Sequence, residues 1–320
     1  MSEAKELAEV TVFAPATVAN VACGYDVLGF AIDAPGDYVV ARFSEKPGLR
    51  ITAITGDEGK LPTDPTKNTA GVAALDLLNH LGKNDLGIEM EIHKRMPFGS
   101  GLGSSAASAV AGTFAVNALI GSPLSKKQLL PFAMTGEASA DGAWHADNVG
   151  PSLLGGIVFV RDNAELDVAS LPVPDNLWAA VVHPDIEILT KVAREILPKE
   201  ISLSDATTQI GNLGGLICGL IQSDYGMISR SIHDVIAEPR RQKLIPEFYE
   251  AKRAAMAMGA LGFSISGAGP SVFALCEGAE IAEKAGTAIA KVFSQVPLTN
   301  QVHISPINRT GVTIVDSIPS

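Results

Sequence analysis

The residues whose types and spacing most clearly suggest chemistry lie between Met96 and Val110, in the stretch MPFGSGLGSSAASAV. Glycines at alternate positions from Gly99 to Gly103 are followed by Ser104 and Ser105. Glycine permits positive φ angles and lets backbone N–H groups approach a ligand with no Cβ in between. A helix that begins after such a loop directs its unpaired N–H groups and its positive dipole end at one place, which favours an anion such as phosphate. The serine hydroxyls could bond phosphate or bind Mg²⁺.

This stretch does not match the two most general nucleotide-binding motifs. A Walker A loop ends in Gly-Lys-Ser/Thr, and no lysine follows these glycines. A Rossmann fingerprint has a third glycine three residues after the second, where this sequence has Ser104. A flexible turn before a buried helix of small residues therefore remains an alternative to phosphate binding.

A second group of side chains combines acids, an amide and a histidine within a short span. Its members are Glu137, Asp141, His145, Asp147 and Asn148. The apolar, glycine-rich stretch from Val149 to Val160 follows, and we expect it to be a buried strand. Carboxylates beside a core are more often functional than those on a free surface. A zinc site is disfavoured because the group has one histidine and no HExxH spacing, and a solvated polar loop is the alternative.

Four other polar residues stand in unusual contexts. Asn20 and Asp26 lie in an otherwise apolar segment, where polar side chains need partners, and hydrogen bonds within an Asx turn would supply them. Arg194 lies in a short predicted helix, and Arg241 follows a proline that interrupts a helix. Each arginine could be a solvated surface residue. A guanidinium is also the side chain best suited to bind a carboxylate at two points.

Hydrophobic periodicity predicts the elements that must position these residues. Asn68 precedes a predicted helix, where it would act as the N-cap, and Lys94 ends a strand beside the glycine-rich stretch, either solvated or near a nucleotide. Pro15 is expected to break the first strand. The predicted strands are 10–13, 37–43, 49–55, 88–93, 177–183 and one near 310–315. The predicted helices are 68–81, 124–137, 189–197, 207–223, 225–235, 248–258 and 281–293.

Composition limits the class of protein. A chain of 320 residues is long enough for two domains, and a net charge of −11 argues against a nucleic-acid partner or an anionic membrane surface. The apolar runs are too short to span a membrane, and the N-terminal MSEAKELAEV does not resemble a signal peptide. Three widely separated cysteines predict neither a disulfide framework nor a zinc site, and they favour a reducing cytoplasm.

Taken whole, Pro97 to Ala106 matches every fixed position of Pro-x-Gly-x-Gly-Leu-Gly-Ser-Ser-Ala. This is motif 2 of the GHMP kinase superfamily (galactokinases, homoserine kinases, mevalonate kinases, phosphomevalonate kinases), in which the loop wraps the ATP phosphates. The segment from Pro15 to Ile32 resembles motif 1 as it occurs in homoserine kinases, and Ser266 to Ser271 resembles motif 3. In motif 1 this chain departs at Val18, at Val21-Ala22-Cys23, where a glycine is lost, and at Tyr25.

The resemblance implies the following site residues. ATP would be bound by Asn68, Lys94, Pro97, Gly99, Ser100, Gly101, Leu102, Gly103, Ser104, Ser105 and Ala106. Mg²⁺ would be held by Ser105 and Glu137. The amino acid substrate would be bound by Asn20, Asp26, His145, Arg194, Arg241 and Gly267, because it needs a negative group for its ammonium and positive groups for its carboxylate. The catalytic residues would be Glu137, Asn148 and Arg194.

Asn148 occupies the position at which mevalonate kinase and galactokinase carry a catalytic aspartate. An amide cannot accept a proton as a base at neutral pH. The resemblance therefore implies either that another group takes the proton of the acceptor hydroxyl or that no dedicated base acts. The second option is chemically acceptable, because phosphoryl transfer can pass through a loose transition state that needs little early proton removal.

The implied fold is α+β, with an N-terminal domain like ribosomal protein S5 domain 2 over residues 1–165 and a ferredoxin-like C-terminal domain over residues 166–320. The implied reaction is ATP-dependent phosphorylation of the L-homoserine hydroxyl in threonine biosynthesis, with ATP and Mg²⁺ as cofactors and a homodimer as the assembly. One rival is another GHMP kinase acting on mevalonate or a sugar. The other is an inactive ligand-sensing homologue, which the altered turn at residues 21–23 and the missing base leave open.

Overall fold

The computed structural model describes residues 8–142, 144–296 and 298–319. Its strands are β1 (Glu9–Ala19), β2 (Leu28–Phe43), β3 (Leu49–Thr55), β4 (Ile88–His93), β5 (Ile157–Asp162), β6 (Asp167–Leu171), β7 (Leu177–Pro184), β8 (Gly262–Ile265), β9 (Val272–Glu277), β10 (Asn300–Pro306) and β11 (Thr313–Val315). Its helices are α1 (Thr69–His80), α2 (Ser104–Leu119), α3 (Lys126–Asp141), α4 (Ala146–Leu154), α5 (Thr190–Glu195), α6 (Leu203–Gln222), α7 (Tyr225–Ser231), α8 (Glu238–Arg241), α9 (Phe248–Ala257) and α10 (Ala279–Phe293).

The first sheet is built on the long antiparallel pair of β1 and β2. Within the described ranges the strand order is β11-β1-β2-β4-β3, and β5 and β6 extend the sheet from β2. The prediction that Pro15 breaks the first strand is wrong, since β1 continues to Ala19. The register between β1 and β2 instead shifts between Pro15 and Thr17, and such an irregularity accommodates a residue that has no N–H to donate.

Small residues let the helices on this sheet approach one another closely. A Cβ on Gly112 of α2 would lie 2.6 Å from the carbonyl oxygen of Ala70 in α1, and a Cβ on Gly136 of α3 would lie 2.5 Å from that of Thr69. Helix α2 also packs on β1 and β2, and its residues from Ala106 to Thr113 are buried. The helix that follows the glycine-rich loop is thus fixed on several sides, which confirms its prediction as a buried helix of small residues.

The second sheet has the strand order β10-β7-β9-β8 and is antiparallel, with α9 and α10 among the helices packed on it. This order in a βαββαβ chain is that of a ferredoxin-like domain, as expected. Side chains of β7 point alternately to the two faces of the second sheet. Val181 packs in the same hydrophobic core as the first sheet, and Val182 packs in a second core with α9 and α10. Phe273 of β9 meets Phe30 of β2 edge-on, with ring centroids 5.9 Å apart.

Two further regions differ from the sequence-based expectation. The stretch 149–160 is not one strand, since α4 occupies Ala146–Leu154 and β5 begins at Ile157. Gly155 and Gly156, both with positive φ, make the turn between them. The strand β10 was not predicted, because its sequence is weakly apolar and only one of its seven residues is buried.

Two strands after residue 165, β6 and β11, belong to the first sheet. The division of the chain into domains at residue 165 therefore remains a prediction. The helices packed on two largely antiparallel sheets confirm the expected α+β class. Among the helices of the described ranges, none combines the length and apolarity that a membrane span requires.

Candidate active site

A cavity of about 320 Å³ is lined by residues from both halves of the chain. The predicted site residues that line it are Asn20, Asp26, Lys94, Gly99, Ser100, Gly101, Gly103, Ser104, Ser105, Glu137, His145, Asn148, Arg194, Arg241 and Gly267. The remaining predicted site residues, Asn68, Pro97, Leu102 and Ala106, are not part of this lining. The structure therefore gathers most of the residues that the motifs indicate, although motif 1 and Arg241 lie more than two hundred positions apart.

The glycine-rich loop has a conformation that requires its glycines. Gly99, Gly101 and Gly103 have φ angles of 57°, 76° and 69°. A Cβ on Gly101 would lie 2.4 Å from the carbonyl oxygen of Ser266, so motif 3 packs directly on the loop. Ser266 Oγ also donates a 2.7 Å hydrogen bond to the carbonyl oxygen of Gly101. The loop is thus held by its neighbours and leads into the N-terminus of α2, as the anion-site interpretation requires.

Lys94 is buried, so the solvated-surface alternative for it is wrong. Its ammonium forms an ion pair with the buried carboxylate of Asp37 and donates to the carbonyl oxygen of Ser104 at 2.9 Å and to Ser108 Oγ at 2.7 Å. Lys94 therefore fixes the first turn of α2 and lines the cavity beside it. Asn68 is the N-cap of α1, because its Oδ1 accepts a 3.1 Å hydrogen bond from the N–H of Ala70.

Two oxygen-bearing side chains of the cavity have the chemistry of Mg²⁺ ligands. Ser105 Oγ is buried and has no hydrogen-bond partner within the described structure, which is unusual for a buried hydroxyl. Glu137 lines the same cavity. Among the described residues, no group of three or more His, Cys, Asp or Glu is placed to hold a metal ion. A hydroxyl and one carboxylate nevertheless fit Mg²⁺, which binds few protein ligands and keeps water or phosphate oxygens.

Asp26 is the centre of a charged cluster. Arg194 donates to it through both terminal nitrogens, at 3.1 Å to Oδ2 and 3.2 Å to Oδ1. His145 Nδ1 lies 3.4 Å from Asp26 Oδ2. Burial lowers the pKa of the Arg194 guanidinium, but the hydrogen bonds and charge of Asp26 outweigh it and raise the pKa overall. The cluster thus presents one carboxylate and one fixed cation to the cavity.

Tyr25 lies between the two arginines. Its hydroxyl accepts a 2.9 Å hydrogen bond from Arg194, and the guanidinium carbon of Arg241 is 5.2 Å from its ring centroid. Arg241 is buried and donates to the carbonyl oxygens of Ala193 at 3.0 Å and Gly267 at 2.9 Å. Burial raises the pKa of Tyr25 and lowers that of Arg241. The change from Phe to Tyr in motif 1 therefore adds a hydrogen bond to an arginine of the site.

The altered turn of motif 1 is left-handed over three successive residues. Asn20, Val21 and Ala22 have φ angles of 69°, 39° and 60°, so the turn is left-handed even without the usual glycine. Asn20 Oδ1 accepts a 2.9 Å hydrogen bond from the N–H of Asp26, and its Nδ2 donates at 2.8 Å to the carbonyl oxygen of Gly267. Asn20 thus joins motif 1 to motif 3 and holds the backbone of Asp26.

The structure adds Asp147 to the predicted site residues. It is 3% exposed and lines the cavity, and burial, followed by the charge of Asp26, raises its pKa to about 7. The sequence placed Asp147 in the acidic group but carried no signal for this burial, since the segment was expected to be a loop before a strand. The neighbouring Asn148 accepts a 2.7 Å hydrogen bond through Oδ1 from Thr17 Oγ1.

Comparisons with known proteins identify the family of this chain. The family model described as GHMP kinases N terminal domain matches residues 68–156, and that described as GHMP kinases C terminal matches residues 216–295. The homoserine kinase of Chlorobium phaeovibrioides is 48% identical over 314 residues, with 95% of this chain and 98% of that protein covered. The homoserine kinase of Chlorobium phaeobacteroides (strain BS1) is 47% identical over 317 residues, with 96% and 99% covered.

A solved structure shows the same relationship in three dimensions. The crystal structure of homoserine kinase from Cytophaga hutchinsonii superposes with a TM-score of 0.96 at 53% sequence identity. The comparison covers 98% of this chain and 100% of that one. Because sequence identity near one half extends over almost the whole length of these relatives, the chain belongs to the homoserine kinase family of the GHMP kinases.

Proposed function

We propose that this chain transfers the γ-phosphate of ATP to the side-chain hydroxyl of L-homoserine and forms O-phospho-L-homoserine for threonine biosynthesis. The observation that carries the proposal is the lining of the cavity. A glycine loop at a helix N-terminus lines it together with Asp26, Arg194 and Arg241. The loop offers N–H groups to a triphosphate, and the charged residues offer both signs of charge to a zwitterion.

In this proposal the phosphates of ATP lie against the loop from Gly99 to Ser105, with Lys94 beside the first turn of α2. Pro97, Leu102 and Ala106 act by shaping the backbone, since they do not line the cavity. Asn68 acts through α1, because it caps the helix whose first residue, Thr69, belongs to the lining.

Ser105 and Glu137 would hold Mg²⁺, and the partnerless Ser105 hydroxyl supports this assignment. When bound, Mg²⁺ neutralises negative charge on the transferring phosphate. The ion has no preformed cage of carboxylates among the described residues, which agrees with a metal that is shared with the nucleotide.

The amino acid would be bound by charge and by position. Asp26 takes the ammonium, Arg241 and Arg194 take the carboxylate, and Asn20 and His145 orient the chain that carries the hydroxyl. Gly267 helps to position two of these residues, because its carbonyl oxygen accepts hydrogen bonds from Asn20 and Arg241. Asn148 cannot act as a base. Positioning of the hydroxyl in line with the phosphate, rather than early proton removal, would therefore supply most of the rate.

The direct test is a panel of phosphoryl acceptors. The purified chain is assayed with ATP and Mg²⁺ by a coupled measurement of ADP, with L-homoserine, mevalonate and galactose each offered alone. We expect turnover with L-homoserine only. Turnover with mevalonate or galactose would contradict the substrate assignment, and ADP formation with none of them would favour the inactive ligand-sensing alternative.

A homodimer and a cytoplasmic location complete the proposal. The outer face of α6 is apolar and exposed at Leu203 (84%), Ile210 (71%) and Ile221 (55%), which supports its burial by a second copy of the chain. Sedimentation should show a dimer that Ile210→Glu converts to a monomer. The three cysteines are free thiols, as expected in a reducing compartment.

A further inference from the structure

Gln209 links two segments of the candidate active site without lining the cavity itself. It lies on α6, is buried, and uses its whole side-chain amide. Its Nε2 donates to the carbonyl oxygen of Cys23 at 3.1 Å and to Asp234 Oδ1 at 3.1 Å. Its Oε1 accepts a 3.0 Å hydrogen bond from the N–H of Val235. One side chain therefore fixes the distance between residue 23 and residues 234–235.

The first of these segments carries the negative group of the site. Cys23 follows the left-handed turn that begins at Asn20, and Asp26 lies three residues further on. The backbone N–H of Asp26 is itself held by Asn20. A shift of the backbone at Cys23 would therefore displace the Asp26 carboxylate relative to the rest of the cavity.

The second segment carries a positive group of the site. Asp234 accepts hydrogen bonds from the N–H groups of Ile236 at 2.8 Å, Ala237 at 3.0 Å and Glu238 at 2.7 Å, so it fixes the start of α8. Arg241 is the last residue of that helix, and its N–H donates to the carbonyl oxygen of Ala237 at 2.9 Å. The position of Arg241 thus depends on how Asp234 is held.

We propose that Gln209 is a positioning residue that sets the separation between Asp26 and Arg241 and so matches the site to an α-amino acid. The inference rests on the proposed function, because the ligand it serves is the zwitterion. Only a neutral amide satisfies this place, which needs a donor for a carbonyl and a carboxylate and an acceptor for an N–H. Small errors in such placement are costly when two charged groups of a ligand must be engaged at once.

The test compares Gln209→Glu, which has the same shape but loses both donors, with Gln209→Leu, which loses all three hydrogen bonds. Each variant is assayed with L-homoserine and with two analogues that each lack one of its charges, 4-hydroxybutyrate and 3-amino-1-propanol. We expect the KM for L-homoserine to rise about tenfold or more while the KM for ATP changes less than about twofold. The preference of kcat/KM for L-homoserine over each analogue should fall by a similar factor.

The matched control is Asn212→Ala on the same helix. Asn212 donates a 2.9 Å hydrogen bond to the carbonyl oxygen of His233 and, within the described structure, forms no hydrogen bond with Cys23 or Asp234. We expect Asn212→Ala to leave the KM values for all three acceptors unchanged. Asp234→Ala removes a partner of Gln209 and also the acceptor that fixes the start of α8, so it should give at least the loss of preference of Gln209→Leu. Thermal unfolding of every variant reports the cost in stability separately.

Equal losses with all three acceptors, or a parallel rise in the KM for ATP, would show that Gln209 only stabilises the fold and would overturn the proposal. An unchanged KM for L-homoserine in both Gln209 variants would overturn it as well. Failure of the proposed function looks different, because the unsubstituted chain would then phosphorylate none of the three acceptors.

Discussion

The guanidinium of Arg194 donates to both carboxylate oxygens of Asp26, although 168 positions separate the two residues in the chain. Asp26 is the residue proposed to bind the substrate ammonium, and Arg194 is one of those proposed to bind the substrate carboxylate, so the two groups contact each other directly. Arg241 makes no such ion pair within the described structure and donates to two backbone carbonyl oxygens. The two arginines should therefore respond differently to substitution.

We expect Arg241→Leu to raise the KM for L-homoserine by about thirtyfold or more and to leave the KM for ATP nearly unchanged. The reason is the loss of charge-assisted hydrogen bonds to the carboxylate of L-homoserine, each of which contributes about 2 kcal/mol to the free energy of binding. Arg194→Leu should be more damaging, since it also leaves the Asp26 carboxylate without its partner. Steady-state kinetics with each substrate varied in turn measure both effects, and Arg241→Lys is the charge-conserving control. A rise in the KM for ATP alone would contradict the assignment.

Ser105→Ala should weaken the binding of Mg²⁺ without harming the fold. The Ser105 hydroxyl has no partner within the described structure, so its removal should leave the melting temperature unchanged or slightly higher. The Mg²⁺ concentration for half-maximal activity should rise about tenfold, as expected if one oxygen ligand is lost. Ser104→Ala is the neighbouring control, because Ser104 Oγ donates to Asp37 at 3.1 Å. An unchanged Mg²⁺ titration for Ser105→Ala would exclude Ser105 as a ligand.

Gly101→Ala should abolish activity, while Gly82→Ala should not. Both glycines have positive φ angles, 76° and 65°, so each alanine carries a similar backbone cost of about 1 kcal/mol. Only at Gly101 would the added Cβ meet another atom closely, at 2.4 Å from the carbonyl oxygen of Ser266, whereas nothing lies within 4 Å at Gly82. Circular dichroism shows whether each variant is folded, and ATP titration shows whether the loop still binds the nucleotide. Full activity of Gly101→Ala would contradict the described packing of motif 3 on the loop.

Asp147 should make the stability of the chain fall as the pH rises. Its pKa of about 7 lies above the ordinary value of 3.8, so the folded state binds a proton that the unfolded state releases. The favourable contribution is therefore complete below pH 3.8 and is lost as the pH rises towards 7, by up to about 4 kcal/mol. Asp147→Asn keeps the shape of the protonated acid, and urea unfolding between pH 4 and pH 8 should show a smaller decline for this variant. Parallel curves would contradict a protonated Asp147.

Local patterns in the sequence predicted several of the elements and the glycine-rich loop. Alternating glycines predicted the positive φ angles at Gly99 to Gly103, and the periodicity of residues 68–81 predicted α1 and its Asn68 cap. Motif spacing grouped most of the residues that line the cavity. These predictions succeed because they depend on neighbours in the chain.

Features that depend on distant contacts were not predictable in this way. Pro15 stays within β1 because the partner strand shifts its register, and Asp147 is buried because α4 packs under the cavity. Gln209 looks like an ordinary polar residue on an amphipathic helix until Cys23 and Asp234 are placed beside it. The local sequence around each of these residues does not indicate the distant segment that contacts it.

The hydrogen bond from Thr17 to Asn148 limits what can change when position 148 is substituted. A Cβ on Gly103 would lie 2.2 Å from Thr17 Oγ1 and 2.8 Å from Asn148 Oδ1, so the three residues fill one space without a gap. An aspartate at position 148 would accept the same hydrogen bond and fit the same outline. Its obstacle is the neighbouring Asp147, because a second acid there would compete for protons. Replacing Asn148 by aspartate would therefore alter the protonation of the cavity and not its contour.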